Sequence, residues 1–324
     1  NIWLNIGYAY AFTTLAGDAG YGSTDGGPGV ARLYNPAGVS ADGNGNVYVA
    51  DYRNSTIRKI SAAGAVTTLA GAPGITGSSD GVGGGARFNL PQSVAVDALG
   101  NIFVADTNNH IIRKITSGGV VTTLAGTAGS GGSADGTGNS ARFNLPQGLI
   151  VDGIGNLYVA DAYNHTIRKV TAGGVVTTLA GTAGIVGSAD GSGAAAQFRY
   201  PRSVAVDAGG DVYVADRDNY TIRKITSAGV VTTLAGTAGS SGSANGIGSA
   251  ARFNLPRSVV LDSGGNLYVT DEYNHTIRKI TVADGNVTTL AGTAGGAGAA
   301  DGTGSAARFR FPNGVTVDGS GNVY

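Results

Sequence analysis

The chain has no cysteine and no methionine, one tryptophan, and a single glutamate, Glu272. Without cysteine there are no disulfides and no thiolate chemistry, and the redox compartment stays open; a bacterial extracellular or periplasmic setting is the working expectation. Lacking an initiator methionine, the chain is expected to begin after processing, inside a longer protein or at a trimmed end, and it carries no recognisable signal peptide or membrane span. Charge is sparse, 13% of residues, and balanced at 21 basic against 21 acidic, so no global field would recruit nucleic acid or an anionic membrane. Helix signal is missing too. No stretch sustains a 3.6-residue apolar period, and 57 glycines would undermine one.

What fills the 324 residues is a repeat. Thr-Thr-Leu-Ala-Gly occurs six times, with leucines at Leu15, Leu69, Leu124, Leu179, Leu234 and Leu290, a step of 54 to 56 residues. Within one copy, Ser93–Asp97, Ile102–Asp106, Ile111–Ile115 and Val120–Leu124 each read as a short strand rich in β-branched or aromatic residues. Asp97-Ala-Leu-Gly-Asn101 and Thr116-Ser-Gly-Gly119 supply hairpin chemistry between them, and Asp106-Thr-Asn-Asn109 an Asx-rich loop. Four-stranded units at a fixed step predict blades arranged radially in one domain, residues 1–324. The expected fold is all-β: a six-bladed β-propeller of four-stranded antiparallel blades, near residues 36–71, 91–126, 146–181, 201–236, 256–292 and 312–324 plus 1–17. In the sixth blade the N-terminal strands, Asn1–Asn5 and Ala9–Leu15, would pair with Val315–Asp318 and Asn322–Tyr324 to close the ring.

Pro-x-Ser-Val-Ala-Val-Asp followed by Gly-Asn-Ile-Phe-Val-Ala-Asp-Thr-Asn-Asn-His-Ile-Ile-Arg-Lys-Ile resembles the NHL repeat, a family of six-bladed propellers. Five copies carry Asp-x-x-Asn…Ile-Arg-Lys (Asp51, Asn54 and Arg58 in the first), whereas Ile2-Trp3-Leu4-Asn5 departs from it. The resemblance implies a broad range of functions, including metal-dependent lyases, RNA-binding domains, extracellular sensors and scaffolds, and fold alone does not choose.

Residues repeated in every copy are read as structure, because a group needed once would not be built five times. The Asp–Asn–Arg set is expected to satisfy turn amides and tie strands. The slot Asp25, Asp80, Asp135, Asp190, Asn245 and Asp301, followed each time by Gly, reads as turn chemistry. His110, His165 and His275 share one slot roughly 13 Å apart around the ring, too far to converge on zinc at ~2.1 Å. Asp42, Asp97, Asp152, Asp207, Asp262 and Asp318 end the inner strands as a ring that could hold a cation, but each also opens an Asp-x-x-Gly turn, the preferred role.

Where the copies disagree, function has room. Arg199, Arg202, Arg217, Arg257 and Arg310 break the repeat near the channel mouth, beside Tyr200, Tyr220 and Phe311. Guanidinium forks beside aromatic faces suit a carboxylate, sulfate, phosphate or acidic peptide. The competing reading is that Asp211, Asp216, Asp218 and Asp271 neutralise these arginines in surface pairs. The expected function is therefore a non-catalytic binding or scaffold module, monomeric and without cofactor, for a protein, peptide or small anionic ligand on the loop-bearing face. A hydrolase or lyase with its site at the channel mouth is the alternative.

Overall fold

The computed structural model describes residues 10–17 and 20–324. Its secondary structure is short strands joined by turns and ten three-residue 3-10 segments. In the first blade, strands Pro36–Ala41, Val47–Asp51, Thr56–Ile60 and Val66–Ala70 follow one another in one antiparallel sheet. Val47–Asp51 is buried at every position, and so are its four counterparts from Ile102 to Asp106, Leu157 to Asp161, Val212 to Asp216, and Leu267 to Asp271. A strand packed by a neighbouring sheet on either side reads as a continuous apolar run, as in Val-Tyr-Val-Ala.

Apolar packing runs between blades. Tyr48, Ala50 and Ile57 of the first blade cluster with Val94, Ile102 and Val104 of the second, over Phe88 from the connection between them. The same layer recurs further round, with Phe143, Phe198 and Phe253 fully buried. Each long connection also lends the following blade a fifth strand: Gly81–Val82 pairs with Val120–Val121, and Gly136–Thr137 with Val175–Val176.

Six blades were expected, and five are found. Four sheets have five strands and one has four. Among the described residues the expected union of chain ends is not formed: Ala11–Phe12 pairs with Gly302–Thr303 in a separate two-stranded sheet. Thr316–Tyr324 folds on itself through the Val317–Val323 bridge and joins no larger sheet. Thr13–Gly17 repeats Thr67–Gly71, which puts Ala11–Phe12 in the slot of an outermost strand, as expected; that slot pairs with the preceding connection in other blades, and here it pairs with that connection and not with the inner hairpin of residues 316–324. The predicted strand Asn1–Asn5 lies outside the described residues.

The ring is nevertheless continuous at its inner edge. Residues 311–324 pack against the first blade, with Thr316 Oγ1 accepting from Ala41 N at 3.3 Å and Asn313 Nδ2 donating to Pro36 O at 3.4 Å. Glycines make this close approach possible. A Cβ on Gly314 would overlap the Ala37 carbonyl, and one on Gly148 the Arg202 carbonyl. Small residues thereby floor the axis, where the remaining voids of 30 and 40 Å³ have room for about one water each. The channel mouth on the loop-bearing face is therefore a blind cavity.

Candidate functional site

The repeated charged set is one buried tie built five times. Asp161 Oδ2 accepts from Arg168 Nη1 at 2.8 Å and Asn164 Nδ2 at 2.7 Å, while Oδ1 accepts from the Asn144 amide at 2.7 Å. Arg168 spends its remaining reach on the long connection, bonding Arg142 O, Ala134 O and Asp135 Oδ1. Its guanidinium stands 5.3 Å from the Phe143 ring centre. Burial pushes the Asp161 carboxyl up to about 6, opposed by the charge of Arg168, so it stays ionised at neutral pH. The tie fastens loop to sheet. Asp135, expected in a turn, is the outer partner of this arginine and also accepts from Thr178.

The histidines are backbone acceptors. Nδ1 of His110, His165 and His275 accepts from the amides of Leu145, Tyr200 and Phe311 at 3.1, 3.2 and 3.1 Å. Those three amides belong to residues held at φ of 48 to 50°, a costly conformation that the bond helps to fix. Ser55 Oγ does the same for Leu90. Burial lowers the pKa of His110 and His165, and Arg199 adds to the lowering at His165, against the opposing charge of Asp218. Among the described residues, no three His, Cys, Asp or Glu side chains gather where they could hold a metal ion.

The aspartates of the opposite face serve their own hairpins. Asp42 Oδ1 accepts from the amides of Asn44 and Asn46, both at 2.9 Å, and Oδ2 accepts from Asn46 Nδ2 and the Tyr48 hydroxyl. Burial raises the Asp42 pKa, but these bonds outweigh it and hold the carboxyl below its usual value. Asp97, Asp152, Asp207, Asp262 and Asp318 accept from two turn amides in the same way.

At the channel mouth the copies diverge, and a cavity of 640 Å³ opens. Of the expected residues, Arg202, Arg257, Arg310 and Phe311 line it; Tyr52, Gln92 and Glu272 complete its polar and aromatic wall. Arg217 reaches the same group through Glu272. That carboxylate takes Arg257 Nη1 at 2.8 Å on Oε1 and Arg217 Nη2 at 3.2 Å on Oε2, while Arg217 Nη1 pairs with Asp218 at 2.8 Å. Arg199, Tyr200 and Tyr220 stand apart from the lining. Tyr200 packs edge-on against Tyr163 and His165, Tyr220 occupies the histidine slot at φ 61°, and Arg199 is exposed.

Of the four aspartates expected to neutralise these arginines, Asp218 alone does. Asp211 pairs with Lys224, and Asp216 and Asp271 belong to the repeated ties. Glu272, the one glutamate of the chain, carries the neutralising role instead. Its singularity was the available signal.

Arg202 is left without a carboxylate. Its hydrogen bond is Nη1 to Gln147 Oε1 at 2.6 Å; its Nε, like that of each tie arginine, is buried with no partner, and what sets it apart is the missing carboxylate. Burial, together with the charges of Arg257 and Arg217, lowers its pKa to about 10, with Glu272 opposing. The guanidinium is still charged at pH 7. The mouth therefore holds a desolvated, under-matched cation.

Residues 33–60, 88–115, 198–225 and 253–280 match the family model of the NHL repeat. The chain is 30% identical over 271 residues to protein SUPPRESSOR OF QUENCHING 1, chloroplastic, of Arabidopsis thaliana, a match covering 78% of this chain and 25% of that protein. It is 27% identical over 326 residues to NHL repeat-containing protein 2 of Bos taurus, covering 90% and 44%. The chain thus spans from a quarter to under half the length of these curated relatives. Among solved structures, a protein of unknown function from Bacteroides thetaiotaomicron superposes with a TM-score of 0.75 at 22% identity, covering 96% of this chain and 71% of the other. That likeness is one of fold.

Proposed function

This chain belongs to the NHL-repeat proteins, and we propose that it works as a single non-catalytic binding module that seats an anionic group of its ligand in the mouth of the ring. Arg202 carries the reading. A half-buried guanidinium with one amide partner and two like-charged neighbours, only partly offset by Glu272, is an unfavourable arrangement in the free protein, and an arriving anion relieves it. Arg257 and the exposed Arg310 supply further donors on the same wall, and Phe311 and Tyr52 cover the apolar part of a ligand. The ligand is a protein, peptide or small molecule bearing that anion.

The histidine geometry favours binding over catalysis. Each Nδ1 is committed to a backbone amide, so a ready general base is absent from this slot. Among the described residues no helix is long and apolar enough to cross a membrane, a fact that bears on helical spans alone.

A panel of anionic ligands titrated against wild type and the double variant Arg202→Ala/Arg257→Ala tests the site. Wild type should bind, more weakly at high salt, and the variant should lose at least about tenfold in affinity. Equal binding by both proteins removes the mouth from consideration.

A further inference from the structure

Charge at the mouth is closely counted. Arg202, Arg217 and Arg257 bring three positive charges and Glu272 and Asp218 return two negative ones, which leaves one unmatched positive charge among these inner groups; Arg310, on the same wall, adds a second that is exposed and screened by solvent. Glu272 is buried, its side chain 9% exposed, yet it lines the same cavity as Arg202 and Arg257. An anion entering beside these arginines meets this carboxylate at close range in a poorly solvated setting, where a second ligand charge is weakly screened.

The hydrogen-bonding pattern also sets which donors are free. Arg217 is committed to Asp218 and Glu272, and Arg257 gives Nη1 to Glu272, so open donors remain on Arg257 and on Arg202 beyond its bond to Gln147. Planar guanidinium donors take two oxygens of a carboxylate or of sulfate alike, so discrimination between them falls to the charge of Glu272. Gln92 and Asn313 add neutral amides to the wall, suited to hydroxyl or amide groups next to the charge.

We propose that the mouth recognises a singly charged carboxylate and that Glu272 is the residue that excludes doubly charged anions. This rests on the anion-binding reading of Arg202 and narrows it. The carboxylate can come from a free sugar acid or from a peptide C-terminus, which share the charged group and differ in the scaffold that bears it.

Calorimetric titration at pH 7.5 with galacturonate, with a tetrapeptide bearing a free C-terminus, with its C-terminal amide, and with sulfate decides the matter. Wild type should bind galacturonate or the free-acid peptide at least about tenfold more tightly than sulfate, and the amide should fail. Glu272→Gln should raise sulfate affinity at least about tenfold more than that of the preferred carboxylate, since the dianion loses twice the repulsion. Wild-type binding of sulfate as tight as that of both carboxylates overturns the inference and leaves the anion site standing; that comparison needs no variant. Equal gains for sulfate and carboxylate in a folded Glu272→Gln assign selectivity elsewhere, and equal binding of peptide acid and amide removes the carboxylate as the recognised group. No binding of any anion by wild type refutes the anion site itself.

Discussion

Arg168 is a fully buried guanidinium and Arg202, one blade away, a half-buried one at a cavity wall, and the protein treats them oppositely. Arg168 has both Nη atoms answered, by Asp161, Asp135 and two carbonyl oxygens, and lies over the face of Phe143, although its Nε, like that of Arg202, has no hydrogen-bond partner. Arg202 has one amide oxygen and two repelling arginines. A buried cation whose charge is answered holds a fold together, whereas one left under-answered costs stability and is retained for something that binds it. The contrast extends to whole regions: the ties are nearly identical in five blades, and the mouth slot varies among them, as Ala37, Gln92, Gln147, Arg202 and Arg257.

Breaking the matched side should have the largest effect. Arg168→Ala leaves Asp161 buried with no counter-charge and frees the 134–142 connection, at a cost of about 3–5 kcal/mol in urea unfolding. Arg113→Ala and Arg223→Ala should cost the same within error, because Asp106 and Asp216 stand in equivalent geometry. Loss of binding without loss of stability in these variants would dissolve the distinction.

A smaller effect sharpens the comparison through pH. His110 and His165 have pKa values lowered on folding, so the stability they lend is complete above the unfolded value near 6.5 and is lost as pH falls through the folded value. The raised carboxyls of Asp106, Asp161 and Asp216 act in the opposite sense in this window, so the histidine contribution is read as the difference between wild-type and His165→Ser melts from pH 7.5 to 5, with wild type losing more stability as pH falls. Ser55 shows that a hydroxyl can hold the same amide, so His165→Ser should flatten that slope while costing about 1 kcal/mol or less at pH 7.5. An unchanged slope would remove the histidine acceptors from the account.

Much of this architecture was legible because it is repeated. Strand positions, the Asp–Asn–Arg tie and the hairpin role of Asp42 and its equivalents follow from residue type and spacing, which local hydrogen bonding determines. The ends were harder. Thr13–Gly17 marks an outermost strand in the sequence, but that this slot pairs with the preceding connection, as Ala11–Phe12 does with Gly302–Thr303 across the whole chain, shows only once the connections are folded.

At the mouth, the divergent arginines could be read from the places where copies disagree. Their partners could not. Asp216 and Asp271 stand in the repeated tie slot and are taken by Arg223 and Arg278, while Asp211, in a hairpin turn, is taken by Lys224, a pairing no repeat announces. Glu272 bridges two blades, and no periodic pattern announces a contact made once. The histidine role was hidden for a related reason: its slot reads Ser55, His110, His165, Tyr220 and His275, and the shared acceptor appears only when the next connection is folded over it.

The most direct test sets Arg202 against the ties in a single pair of melts. Arg202→Met keeps the volume and removes the buried charge, so the ligand-free protein should become more stable by about 1–3 kcal/mol while the thermal shift induced by a carboxylate ligand disappears. A variant that is destabilised like Arg168→Ala and still shows the ligand-induced shift would contradict the claim that the matched arginines build this protein and the unmatched one binds for it.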